Sequence, residues 1–467
     1  MLHLSSTPYC RKTACGGESC ESGLGGRFKL RYDFLVIAVG SEVNTFGVKD
    51  VARHAFFLRE VEHAMLIRKQ VMNNFEQAAL PQTSESEKRR LLHFVVVGGG
   101  PTGVESAAEF ADFIREDMRR CFPQLMPFVS VTLIEGGGRL LPTYSEDISA
   151  FAARVLSERL HVKLLLRSVV THVDATTVQF VTTTPNGKET RTLSQGFVLW
   201  ASGVGQVPLV KKLLQEQQEQ QEAQQKQQQK QGSAAGGDAK GAAAAGRRRP
   251  AFRGLPVDAQ LRLLGQPRVY AIGDCAVLTP RRLQDDAAEL YSRSGPSQPG
   301  ARWLESQAAK LQEIYPQLSP SKFDFSKIES SQRDAPLSFE QFKELLGQID
   351  AAYQPPAPTA QNARQEGLYL AAVFNSLPDP AQRAAAPAFK EKWNGSLAYV
   401  GDGQAVAQLP YMHVLGGFFS LPLWKAVYMR MQITWRSRMI CLFDWLKTAF
   451  AGRDVGRDHQ YYRNNSA

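Results

Sequence analysis

The chain has 467 residues and a mass of 51.7 kDa, enough for two or three domains with cores of their own. Hydrophobic residues make up 43% and charged residues 21%, which excludes a wholly disordered or fibrous chain; six cysteines in this length exclude a disulfide scaffold. The net charge of +10 is uneven, because residues 418–467 hold eight Lys/Arg against three Asp/Glu. Such a tail suits nucleic acid, an anionic membrane surface or an acidic partner.

The start, MLHLSSTPYC, has no apolar signal region. No run of 18 apolar residues is free of a charge or breaker. The nearest, 409–429, carries His413, Gly416, Gly417, Pro422 and Lys425. Residues 1–31 read as Gly-, Cys- and Ser-rich loop. YDFLVIAVG (32–40) reads as a buried strand closing on Gly40. Residues 58–78 have helical spacing, with Val61, Met65 and Ile67 on one side. HFVVVGGGPTGVESAAEFADFI then reads as strand, Gly-rich turn and helix, and VSVTLIE (129–135) as the next strand. Residues 162–183 are β-rich, with a turn at Pro185-Asn186-Gly187, and GFVLWASG (196–203) is a buried strand ending at Gly203. Composition then breaks: 11 of the 17 residues from Gln215 to Gln231 are Gln. The tract 211–250 reads as a solvated insert, because it cannot bury enough apolar surface to order itself. A short β element and the strand of RVYAIGDCA follow. In 281–354, Ser338 and Gln341 make a capping box before a helix. Residues 355–375 turn into another helix, and 411–450 read as two aromatic, basic helices.

Gly98-x-Gly100-x-x-Gly103 has the context that a phosphate loop requires: an apolar strand before it and a helix after it. Glycines there let the backbone turn tightly and approach a pyrophosphate on the helix N-terminus. Glu135 ends the next strand, where a carboxylate accepts from a ribose 2′-OH and repels a 2′-phosphate, so NADH is expected over NADPH. The bland reading is a tight βα turn with no ligand. The run AIGD puts Gly273 and Asp274 at the carboxyl edge of a sheet, where α/β folds bind ligands; a turn-forming Asp is the alternative.

These elements, in this order, resemble a type II NADH:quinone oxidoreductase. The segments that carry the likeness are YDFLVIAVGSEVNTFGV, HFVVVGGGPTGVE, VLWASG, RVYAIGDCA, PTAQNARQEGLYLA, LAYVGDGQAVAQLP and WRSRMICLFDWLKTAFAGRD. The resemblance implies an α/β fold with two Rossmann-like dinucleotide-binding domains and a C-terminal amphipathic helical membrane-binding region. It implies FAD and NADH as cofactors, ubiquinone as acceptor, a homodimer, a place on the mitochondrial inner membrane, and no nucleic acid. Gly98, Gly100, Gly103 and Glu135 would hold NADH. Gly40, Gly203, Gly273 and Asp274 would also bind cofactor, the last two FAD. Glu105 would lie near nicotinamide and flavin, and Gln361 and Gln365 beside the flavin where quinone docks.

Two departures shape the expected organisation. Only 31 residues precede YDFLVIAVG, and Gly23-Leu24-Gly25 meets Phe28 where a third Gly belongs. The FAD domain is therefore expected to lack its first βαβ unit and to hold FAD weakly. Residues 281–354 resemble a degenerate EF-hand region with Glu305 but no preceding Asp, so no calcium or other metal is expected. The expected segments are 1–90, a remnant of the FAD domain; 91–205, the NADH domain; 206–253, the low-complexity insert; 254–280, a return to the FAD domain; 281–354, the second insert; 355–410, the FAD and quinone segment; and 411–467, the membrane region. Cys10, Cys15 and Cys20 have spacing reminiscent of a flavin disulfide reductase, which stays as an alternative. A membrane-associated nucleotide-binding remnant is the other.

Overall fold

The computed structural model describes residues 30–219, 254–294, 300–312, 314–319, 322–328, 336–377, 386–410, 412–417, 419–453 and 455. The Cys10, Cys15 and Cys20 trio, Gly23-Leu24-Gly25 and most of the Gln/Ala tract lie outside them. The described residues fall into two units, one of 30–41 with 206–392, the other of 42–205 with residues from 393 onward.

The second unit is built on a five-stranded parallel sheet. Its order is Phe56–Phe57, Phe197–Trp200, His93–Val97, Ser130–Ile134, Lys163–Leu165. Every residue of His93–Val97 is buried, as a central strand covered on both faces requires. The helices Val61–Ala79 and Pro101–Phe113 contribute to the core on one face. Phe56, Phe197, Phe94 and Phe75 follow one another through that core, with ring centroids 4.9–6.1 Å apart; each such pair adds about 0.5–1.5 kcal/mol beyond its buried area. On the other face an antiparallel sheet, Ser168–Val173, Thr177–Thr184 and Gly187–Ser194, supplies Val170, Val173, Val178 and Phe180.

The C-terminal part of this unit is a hairpin, Ser396–Gly401 with Gln404–Leu409, and a third strand, Met412–Leu415. Asp402 and Gly403 both have positive φ, at 54° and 67°, the backbone of a type I′ hairpin turn. Ala398, Val400 and Val406 bury into the same core as the helix Pro101–Phe113. The helices Ser420–Met431 and Trp435–Ala451 follow.

In the first unit, Leu35–Ile37 pairs in parallel with Val269–Ala271, and Leu255–Val257 with Ala276–Leu278. The helix Ala360–Ser376 places Leu370 in their core and Phe374 edge-on to Phe34 and Tyr270. Residues 283–349 have a separate core around Leu304, Phe342 and Leu346. Its helix Phe339–Ala352 starts at the Ser338–Gln341 capping box that the sequence announces.

Four expectations are corrected. Residues 42–90 belong with the NADH-type sheet rather than with a flavin-domain remnant: Phe56–Phe57 is the edge strand of that sheet, and Phe75 is in its core. Residues 393–410 likewise pack on the helix after the glycine loop. The insert does not begin at 206, because 208–219 are helical and bury Val210 and Leu213. Within Val61–Ala79 the buried stripe is Ile67, Val71, Asn74, Phe75 and Ala78, while Val61 is 75% exposed. The packing partner, not the local pattern, selects the face.

Candidate functional site

The candidate residues sort into two groups, one in each unit. In the second, the strand His93–Val97 delivers Gly98, Gly99 and Gly100 to the N-terminus of Pro101–Phe113. Gly98 has φ +118°, and a Cβ there would lie 2.7 Å from the Ala201 carbonyl oxygen. A Cβ on Gly103 would lie 1.8 Å from the Gly98 oxygen, so the helix approaches the turn as only glycine permits. A Cβ on Gly100 would meet nothing within 4 Å. The loop is thus closed on its inner side and open at Gly100, the N-cap of a helix whose first residue is Pro101. Its positive end favours an anion.

Glu135 follows the neighbouring strand. Its Oε2 accepts from the Gly99 N–H at 2.5 Å and its Oε1 from the Gly137 N–H at 2.6 Å. The structure therefore brings Glu135 and the glycine loop together, with the carboxylate fixing both turns. Gly203 (φ +79°) ends the sheet strand Phe197–Trp200, where a Cβ would strike Phe46 at 2.6 Å; its place is one of close backbone packing.

Glu105 lies one turn into the glycine-loop helix. Its Oε1 accepts from the Tyr399 N–H at 2.9 Å. Burial is the largest influence on its pKa and raises it, while the Tyr399 N–H and the Trp424 indole pull it down. Tyr428, tilted against Trp424 with centroids 4.3 Å apart, has its hydroxyl pKa raised to about 12 by burial and by Glu105. A carboxyl that retains its proton above the usual range, among aromatic rings, is placed to hold or move a proton. Sequence reasoning missed Asp112, two turns further on and 0% exposed. It accepts from the Tyr399 hydroxyl at 2.7 Å, the Asp402 N–H at 3.0 Å and Arg115 at 2.9 Å. Its i+7 spacing from Glu105 was the available signal.

In the first unit the paired strands Leu35–Ile37 and Val269–Ala271 lead into Gly40 (φ +66°) and Gly273 (φ +71°). Ser41 donates to the Asp274 carboxylate at 2.7 Å, tying these two strand ends together. A Cβ on Gly40 would meet nothing within 4 Å, so the turn is open there. The Gly273 N–H donates to Glu366 at 2.6 Å. Burial, opposed by that N–H and aided by Glu391 and Asp274, raises the Glu366 pKa. A shallow cleft is lined by Gly273, Pro358, Thr359, Asn362, Ala363 and Glu366. Glu366 is a second residue that sequence reasoning missed; it stands one position after the glutamine pair.

That pair lies on the helix Ala360–Ser376. Gln365 donates to the Lys392 carbonyl at 3.0 Å and accepts from the Lys392 N–H at 2.9 Å. Its amide is engaged at both ends with backbone. Gln361, one turn earlier, is half-buried, and its carbonyl accepts a long contact from Gln365 at 3.4 Å. Among the described residues no group of three or more His, Cys, Asp or Glu is assembled to hold a metal.

A family model described as the NDH2 C-terminal domain matches residues 393–454, and one described as pyridine nucleotide-disulphide oxidoreductase matches 9–232. The mitochondrial external alternative NAD(P)H-ubiquinone oxidoreductase B2 of Arabidopsis thaliana is 32% identical over 96% of this chain and 76% of its own length. The B1 protein of Solanum tuberosum is 33% identical over 94% and 75%. A structure of NDH2 from Plasmodium falciparum in complex with NADH superposes with a TM-score of 0.79 at 36% identity, covering 93% of this chain and 81% of that one.

Proposed function

The chain belongs to the type II NADH dehydrogenase (NDH2) family, and on that premise we propose that it transfers electrons from NADH to ubiquinone at a mitochondrial membrane, with FAD as its resident cofactor and without pumping protons. The observation that carries this reading is the glycine loop, closed by packing at Gly98 and Gly103 and open at Gly100, on a helix that also bears Glu105, held by the Tyr399 N–H.

The residues present fit the NADH pyrophosphate and ribose, and part of an FAD site. Gly98, Gly100 and Gly103 would hold the NADH pyrophosphate and Glu135 its ribose. Gly40, Gly273 and Asp274, at joined strand ends, would hold FAD beside the cleft under Ala363 and Glu366. Bound FAD supplies two-electron chemistry between NADH and quinone. The chain's own residues bind, orient and exclude water. Glu105, fixed by the Tyr399 N–H and with its pKa raised by burial, is the group placed to hold or move a proton. Gln365 acts by fixing backbone, and Gln361, one turn earlier on the same helix, is the candidate for a quinone contact. The three described cysteines, Cys121, Cys275 and Cys441, are free. Cys275 is buried, with its thiol directed at the Ile37 and Ile272 carbonyls.

The C-terminal helices are proposed to lie on the bilayer. Ile433 is 96%, Trp435 72%, Phe443 64% and Phe450 90% exposed, beside Lys425, Arg430, Arg436, Arg438 and Lys447. Among the described residues no helix is long and apolar enough to cross a membrane. An apolar stripe with basic flanks binds in the interface plane, each Lys or Arg near anionic lipid adding about 1 kcal/mol. The assembly proposed is a homodimer, to be read by analytical sedimentation. The activity is tested with flavin-loaded protein, NADH and a short-chain ubiquinone. Steady NADH oxidation with ubiquinol as product supports it, and NADH oxidation that appears only with a disulfide acceptor refutes it.

A further inference from the structure

The run 386–392 lies as a strap along the helix Ala360–Ser376. Asn362, Gln365 and Tyr369 occupy one face of that helix at i, i+3 and i+7, and each grips the strap. Asn362 Nδ2 donates to Glu391 at 3.0 Å, Gln365 exchanges two hydrogen bonds with Lys392, and the Tyr369 hydroxyl donates to the Pro387 carbonyl at 2.7 Å. An adjacent face, with Ala363 and Glu366, meets the Gly273 turn. The strap and the turn therefore hold one helix between them.

One further group completes the strap. Lys322 Nζ, on the inserted segment with its own core, lies 3.0 Å from Glu391 Oε2, and both side chains are half-buried. Glu391 is one of three carboxylates there, since it and Asp274 both act on Glu366. Without a cation, Glu391 would be a half-buried charge facing like charges, which favours its departure from Asn362. We propose that Lys322 is a positioning residue for the reaction: its ion pair with Glu391 seats the strap, and the strap sets the helix that presents Gln361 and Glu366. The inserted segment thereby acts on a site to which it contributes no direct ligand.

This rests on the function proposed above only where quinone is the readout, so the test has two arms on the full-length, flavin-loaded protein. Lys322→Met, Lys322→Arg and Glu391→Gln are compared with the unaltered chain. In the first arm, amide hydrogen exchange is followed over 386–393. Lys322→Met should speed exchange at Lys392 about tenfold, because its N–H depends on Gln365, while the parallel sheet of the other unit is unchanged. In the second arm, the KM for ubiquinone should rise several-fold, while kcat with ferricyanide and the KM for NADH stay within about twofold. Lys322→Arg should restore both readouts, and Glu391→Gln, which keeps the acceptor for Asn362, should fall between.

Unchanged exchange at Lys392 in Lys322→Met overturns the proposal. So does faster exchange with an unaltered quinone KM, or equal loss with both acceptors. If the unaltered chain reduces no ubiquinone, the functional reading fails, and the exchange arm still decides whether Lys322 seats the strap. If Lys322→Met does not fold, Glu391→Gln decides on the same measures.

Discussion

Glu105 and Tyr399 are 294 residues apart in sequence and joined by a 2.9 Å hydrogen bond from the Tyr399 backbone N–H to the Glu105 carboxylate. The hydroxyl of the same tyrosine donates to Asp112. One residue of the C-terminal hairpin thus holds two acids on the glycine-loop helix. The carboxyl that matters most to the proposed chemistry is placed by a backbone group, which side-chain substitution at 399 leaves intact.

The pH dependence of stability follows from Glu105. Burial raises its pKa in the folded protein. Folding then takes up a proton as pH rises above the ordinary carboxylate value. The cost is absent below that value, grows as pH approaches the raised one, and persists above it. Glu105→Gln should therefore be the more stable protein at about pH 7–8, by an amount of order 1 kcal/mol, with the difference fading near about pH 4. Thermal melts across this range check it. A Gln variant less stable than the unaltered chain at neutral pH would contradict the assignment.

Gly103 and Gly100 should separate folding from binding. At Gly103 a Cβ collides with backbone, so Gly103→Ala should cost about 3 kcal/mol or more and lower the melting temperature. At Gly100 a Cβ meets no protein atom, so Gly100→Ala should melt within about 1 kcal/mol of the unaltered chain while its NADH KM rises about tenfold or more. Melting curves with NADH titrations report both. An undisturbed NADH KM in Gly100→Ala would remove the phosphate loop from the account.

Glu135→Gln should narrow the preference for NADH over NADPH. The carboxylate now holds two backbone N–H groups, and a Gln amide has one oxygen to offer them. Loss of the negative charge should help NADPH by about tenfold, and the loosened loop should weaken NADH slightly. The ratio of kcat/KM values for the two substrates is the measure. An unaltered chain that uses both equally would end this reading of Glu135.

The surface helices predict a separable membrane phenotype. Replacing Ile433, Trp435, Phe443 and Phe450 together by Ser should release the protein from anionic vesicles in co-sedimentation, because these side chains bury little in the folded chain. Turnover with ferricyanide should be unchanged. Higher salt should weaken binding of the unaltered chain, since the basic flanks act through screened charge. Equal sedimentation of both proteins would contradict the surface docking.

The glycine loop was legible because strand, turn and helix follow each other in HFVVVGGGPTGVE, and local spacing is what such a motif requires. The strand ends at Gly40 and Asp274 were also legible singly, although their joining through Ser41 was not. What the sequence hid is tertiary. Phe56–Phe57 is too short to read as a strand, and only its pairing with Phe197–Trp200 assigns residues 42–90 to their unit. Val210 and Leu213 stand at the edge of a Gln-rich tract whose polar composition masks their burial. Gln365 was expected beside the quinone by resemblance alone, and its amide bonds the Lys392 backbone, a partner that no spacing along the helix reveals. Glu366, Asp112 and Lys322 owe their significance to contacts 93, 287 and 69 residues away.

The proposed activity is electron transfer from NADH to ubiquinone at a membrane surface. The most direct measurement places flavin-loaded, full-length protein on liposomes that contain long-chain ubiquinone, adds NADH, and assays NADH consumed against ubiquinol formed. One ubiquinol should form per NADH, with the variant carrying four Ser substitutions slowed on this quinone and unaltered with ferricyanide. NADH consumption without ubiquinol, or reduction of a disulfide in its place, would contradict it.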